Sequence, residues 1–187
     1  MEMWNVMKRV FLRWIAVCIA VVCLLFFVFL QFELVKQDTR TLHSIGLSGE
    51  IKEEVINDTK GLTDLQVVDY CVQKTSDLLK FSKEASVSIT LSDNKGHCVT
   101  YAKVCATMCN IAFESNNIPS KAYCVVGYVG AYGINLCEIL YRLTRSSFVK
   151  DHDFVEVITP NNIIYVDPSI YDLVGMDLKK IKGGSIN

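Results

Sequence analysis

Between Lys95 and Asp167 the hydrophobic period changes from helical to alternating, which constrains the fold more than any other feature. Apolar residues at Val99, Ala102, Ala106, Cys109 and Phe113, with Cys105 and Met108 beside them, read as a helix over 99–115. Cys98 opens that helix after Lys95-Gly96-His97, and Asn116-Asn117 with Pro119 stop it. The run KAYCVVGYV over 121–129 is β-branched and aromatic and reads as a strand. Two further strand-like runs, 154–158 and 163–166, flank Thr159-Pro160-Asn161-Asn162, whose residues suit a hairpin turn. The implied class is α+β, with a helix packed on an antiparallel sheet.

Other segments are read from the same signals. Thr63-Asp64-Leu65-Gln66 fits a capping box, and the apolar period after it predicts a helix over 64–81. Residues 82–96 read as mostly loop, with 87–91 extended, and 134–143 as a short helix or an extended insertion. The segment 35–60 is polar and mixed in charge and reads as a stalk with one short helix near 51–56. The lysine-containing tail after Tyr171 reads as peripheral.

Near the N-terminus lies a different kind of segment. From Trp14 to Leu30 the chain reads WIAVCIAVVCLLFFVFL, with no charge and no proline. About 17 apolar residues sit at the short end of what spans a bilayer. No small-residue cleavage site follows, so a transmembrane anchor is expected rather than a cleaved signal. Lys8, Arg9 and Arg13 before the run, against Lys36 and Arg40 amid Glu33 and Asp38 after it, place the N-terminus in the cytoplasm. The expected organisation is therefore an N-terminal tip and anchor over 1–35, a stalk over 36–60 and a domain over 61–187. That domain would face the periplasm or the extracellular space. The net charge of −1 gives no electrostatic case for nucleic acid.

Cysteine and histidine carry the chemistry. Of the eight cysteines, Cys18 and Cys23 lie in the apolar run. Cys71, Cys98, Cys105, Cys109, Cys124 and Cys137 remain, and an oxidising compartment would permit disulfides among them. No C-x-x-C pair occurs, so neither a zinc site nor a thioredoxin-like motif is expected. No metal or other cofactor is expected. Cys105 and Cys109, one helical turn apart, read as buried core thiols.

Cys98 differs because a helix start helps to stabilise a thiolate. Gly96 would allow a tight turn and leave room beside the sulfur. A thiolate also needs a base, and the chain has only three histidines. His43 lies in the stalk. His97 is adjacent to Cys98, where helical neighbours do not face each other, and is left an assisting role. His152 remains, at the start of one strand of the hairpin, and Asp167 lies near the end of the other. Such a carboxylate could orient the imidazole and leave its second nitrogen for the thiol. Glu156 reads as solvent-facing or paired with a lysine, and Tyr101 as packing.

These residues resemble the transglutaminase-like superfamily. The motifs that carry the resemblance are Gly96-His97-Cys98, Tyr101-Ala102, Asn117-Ile118-Pro119, Val125-Val126-Gly127-Tyr128, His152-Asp153-Phe154 and Asp167-Pro168-Ser169. They cover about half of the domain. The chain has Phe154 where the family usually has Trp, Asn117 for Gly, Lys121 for Arg and Ser169 for Thr. The resemblance implies a papain-like fold and a Cys98–His152–Asp167 triad acting on amide or acyl bonds of a protein or peptide through a thioester. Hydrolysis is the expected outcome, with crosslinking to an amine as the variant. The alternative is a catalytically silent peptide- or protein-binding module of the same fold. The oxyanion hole is left with the backbone N–H of Cys98 and no assigned side chain.

Overall fold

The computed structural model describes residues 13–15, 17, 19, 21, 32–39, 45–82, 94–145, 151–175 and 179–183. The chain divides into two compact units, Met1–Phe32 and Glu33–Asn187. In the first, the described residues 13–15, 17, 19 and 21 are helical. Among the described residues no helix is long and apolar enough to cross a membrane. The transmembrane helix expected over Trp14 to Leu30 is therefore not supported, because the described helical residues of that run are too few to make a span. The rest of the run lies outside the described residues.

The second unit is α+β and holds a six-stranded sheet. In chain order its elements are β1 (Phe32–Thr39), α1 (Gly49–Asp58), α2 (Asp64–Leu78), β2 (Lys80–Phe81), β3 (Lys95–Gly96), α3 (Cys98–Ser115) and β4 (Lys121–Ala131). There follow β5 (Ile134–Asn135), α4 (Leu136–Thr144), β6 (His152–Ile158), β7 (Asn162–Val166), α5 (Pro168–Val174) and β8 (Lys179–Gly183). The sheet runs β1-β4-β6-β7-β8, with β5 folded back on β4. Every pairing from β4 to β8 is antiparallel.

Strand alternation sorts the sheet residues onto two faces. Ala122 and Cys124 of β4, Val155 and Val157 of β6, and Ile164 and Val166 of β7 share one face. They pack in one core with the buried side of α3 and with Val67, Val68, Cys71 and Val72 of α2. Val125, Phe154 and Tyr165 share the other face and cluster with Leu34 of the edge strand β1. Two side-chain devices fix α3 to the sheet and to α5. Asn110 imitates a strand edge: its Nδ2 donates to the Ala122 carbonyl at 2.9 Å and its Oδ1 accepts from the Ala122 N–H at 2.8 Å. Tyr101 Oη donates to Asp172 Oδ2 at 2.6 Å, and burial with that bond pushes the phenol pKa well up.

Several expectations hold and several are corrected. The capping box is present in full: Thr63 Oγ1 accepts from Gln66 N–H, and Gln66 Oε1 accepts from Thr63 N–H. The helix it starts ends at Leu78, not Phe81, because Lys80–Phe81 pairs in parallel with Lys95–Gly96. The segment 36–60 is not a free stalk: β1 joins the sheet, and Ile45, Leu47 and Val55 are buried in the main core. The tail after Tyr171 completes α5 and adds β8 as an edge strand. The hairpin turn is held by Thr159, whose Oγ1 accepts from Asn161 and Asn162 N–H while its own N–H donates to Asn162 O. The extended run expected at 87–91 lies outside the described residues.

One buried charge of the sheet is neutralised by a lysine of β1. Glu156 is buried, receives Lys36 Nζ from β1 at 2.5 Å and accepts from Tyr165 Oη at 3.0 Å. Burial and then that hydrogen bond raise the Tyr165 pKa to about 12. The expected lysine pairing of Glu156 is thus realised inside the sheet rather than at the surface. The close approach of β1 requires Gly127: a Cβ there would lie 2.0 Å from the Val35 carbonyl oxygen and 3.0 Å from Phe154. Gly127→Ala should therefore destabilise the chain by about 1–3 kcal/mol through overpacking. Gly46→Ala, where a Cβ meets nothing within 4 Å, should be close to neutral. Urea denaturation of both variants checks this, and equal midpoints would show that β1 does not press on Gly127.

Candidate active site

The site sits where α3 begins and where the β6–β7 pairing ends. His97 is the N-cap of α3, in extended conformation, and its Nδ1 accepts from Val99 N–H at 3.3 Å. That contact accounts for the side chain the sequence left in an assisting role: His97 caps the helix. Cys98 is the first helical residue and is only 7% exposed. Its N–H belongs to the opening turn, whose donors have no partner inside the helix. Gly96 serves differently from the expectation. It lies in β3, and a Cβ would press on Thr100 at 3.0–3.1 Å and Tyr101 at 3.3 Å. The left-handed residue of this approach is Asn94, at φ 48°.

His152 is the first residue of β6, beyond the last β6–β7 pair, Val155 with Val166. Asp167 follows β7 and serves as N-cap of α5. Continuing the register would set Asp167 opposite Phe154, two residues from His152, which is within diagonal reach on one face. His152 Nε2 and Asp167 Oδ2 form a hydrogen-bonded ion pair. The other carboxylate oxygen is held by three donors: Ser169 N–H at 3.0 Å, Ser169 Oγ at 2.7 Å and Ile170 N–H at 3.1 Å. Ser169 thus supplies a hydroxyl where the resembled family has Thr. The α5 cap and the His152 pair together lock the carboxylate from both sides.

Nε2 being taken, Nδ1 is the ring nitrogen left over, and the Cys98 thiol is near enough to help raise the pKa of the ring. Burial pulls the His152 pKa down. The Asp167 charge and hydrogen bond, helped by Cys98, overcome it and hold the imidazole well above its ordinary value. Burial likewise opposes ionisation of Asp167, yet the His152 charge and the hydrogen bonds from His152, Ser169 and Ile170 hold its pKa below the usual 3.8. The structure thus brings together all three residues singled out from the sequence.

The remaining described cysteines have a different setting. Cys71, Cys105, Cys109, Cys124 and Cys137 are buried thiols outside any disulfide, and so is Cys98. The hydrogen bond with Cys109 and then burial push Cys105 well above the ordinary thiol range. A thiol of that kind packs as a small apolar group and reacts slowly. Asp153 is the site residue that sequence reasoning missed. Its carboxylate is 2% exposed, and its Oδ2 is 4.0 Å from Cys98 Sγ, at the long end for a bond to sulfur. A sign was present in the pattern: Asp153 alternates with Val155 and Val157 on the core face of β6. Among the described residues no cluster of three or more His, Cys, Asp or Glu side chains could hold a metal ion.

No family model, curated protein or solved structure matches the chain. The resemblance to the transglutaminase-like superfamily rests on the residues alone.

The His152–Asp167 pair ties stability to pH. The His152 contribution is fully present below about pH 6.5 and is lost as pH rises through its raised native pKa. The Asp167 contribution is present above about pH 3.8 and is lost as pH falls through its lowered native pKa. Asp167→Asn keeps a good capping side chain but removes the charge. It should cost about 3–5 kcal/mol, with the largest loss between those two pH values and a shrinking loss at higher pH. Urea unfolding of wild type and variant across pH measures this, and a pH-independent difference would contradict the pairing.

Proposed function

We propose that this chain is a cysteine enzyme of the transglutaminase-like kind, in which Cys98 attacks an amide or acyl carbon of a protein or peptide. What supports the reading is the His152–Asp167 ion pair near the thiol of a helix-start cysteine. A helix start and an imidazole are the surroundings in which a cysteine serves as a nucleophile.

The steps follow from that placement. With its proton on His152 Nδ1, the Cys98 sulfur bonds to the carbonyl carbon. The backbone N–H of Cys98 is the nearest donor for the developing oxyanion. The carbon–nitrogen bond breaks as His152 returns its proton to the leaving amine, and a thioester remains on Cys98. Water then attacks the thioester with His152 as base, which frees the acid and restores the thiol. An amine in place of water would give a crosslink. Asp167 holds one ring tautomer and stabilises the imidazolium in both halves of the cycle.

An activated acyl ester such as p-nitrophenyl acetate tests the reading. The expected result is an initial burst and an acetyl adduct on Cys98 in peptide mass mapping. Cys98→Ala should abolish both, and His152→Ala should slow acylation by about 10²–10⁴-fold. The rate should fall as pH rises through the raised His152 pKa, alkaline of the ordinary 6.5. In Asp167→Asn that fall should move to lower pH, because the carboxylate that raises the pKa is gone. An adduct on another cysteine, or equal rates with and without His152, would contradict the proposal.

A further inference from the structure

We infer that Asp153 restrains the nucleophile by accepting the Cys98 S–H and opposing the thiolate with its own charge. The inference rests on the triad reading of the same site and adds a fourth residue to it. β6 carries two buried acidic side chains, on opposite faces of the sheet. Glu156 points to the β1 side, where Lys36 and Tyr165 meet it. Asp153 points to the α3 side, where its neighbours Val155 and Val157 are packed in the core. On α3 it meets Cys98, at 4.0 Å.

The geometry gives the thiol two competing partners from consecutive residues of one strand. His152 and Asp167 together are close to neutral as an ion pair. A thiolate formed beside them is stabilised by the imidazolium and opposed by Asp153, since like charges at this range repel strongly out of water. The proton held toward Asp153 must be given up to solvent before attack, because the imidazolium already carries a proton on Nδ1. Asp153 is therefore a positioning residue: it acts on the sulfur, not on substrate. The result is a nucleophile more restrained than the imidazole alone would leave it.

Site-resolved alkylation of the full chain with iodoacetamide at neutral pH tests this without needing a substrate. Asp153→Asn removes the charge at nearly constant shape. It should speed alkylation of Cys98 by about tenfold or more and leave the rates at Cys105 and Cys109 unchanged. Asp153→Ser provides a second, smaller replacement with the same expected direction. Asp153→Glu restores a carboxylate and should return the rate toward wild type, which a role in packing alone would not produce. Far-UV circular dichroism identifies the variants that fold. If folded Asp153→Asn or Asp153→Ser alkylates at or below the wild-type rate, the restraint is overturned and the triad still stands. If His152→Ala leaves the wild-type rate unchanged, the triad reading fails instead.

Discussion

The site depends on one packing contact: α3 lying along β4 and β6 with its first turn at the open end of the β6–β7 hairpin. Helix residues Val104, Cys105, Met108, Cys109, Ala112 and Phe113 and sheet residues Cys124, Val155 and Val157 fill the shared core. Asn110 pins the helix to the start of β4, and Tyr101 pins it to α5. A slide of one helical residue would move Cys98 by about 1.5 Å, enough to separate the sulfur from the imidazole. Core packing so far from the sulfur is thus what sets the geometry at it.

The second constraint is the economy of the Asp167 carboxylate. One oxygen caps α5 through Ser169 and Ile170, and the other binds His152. The same residue ends a strand, starts a helix and orients a ring. A buried carboxylate gains from several donors at once, and here the backbone donors come from a helix start. The ring is then presented to Cys98 with one nitrogen already committed. Asp153 approaches the sulfur from the neighbouring position of β6, so one strand supplies both the proposed base and the proposed restraint.

Much of this was legible in the sequence because the informative residues are local. Thr63 and Gln66 announce a helix start through their own side chains, and Thr159 to Asn162 announce a turn in the same way. Cys98, His152 and Asp167 could be chosen because few histidines compete and the hairpin brings two of the three together. The edge elements were not legible. β1 buries only Leu34 of its eight residues, and β8 is rich in lysine, so each exists by pairing with a strand already in place. Two-residue β2 and β3 shorten the preceding helix through a parallel contact that no local pattern encodes. The apolar run at the N-terminus has the composition of a membrane span, yet among the described residues no helix is long and apolar enough to cross a membrane.

The central claim is that Cys98, His152 and Asp167 act as one unit, and nitrogen-15 NMR of the His152 ring tests it most directly. The ring should keep both protons well above pH 6.5, where an ordinary histidine has lost one. Its Nδ1 signal should move when Cys98 is alkylated, and its high pKa should disappear in Asp167→Asn. A His152 that titrates near 6.5, insensitive to both Cys98 and Asp167, would contradict the account.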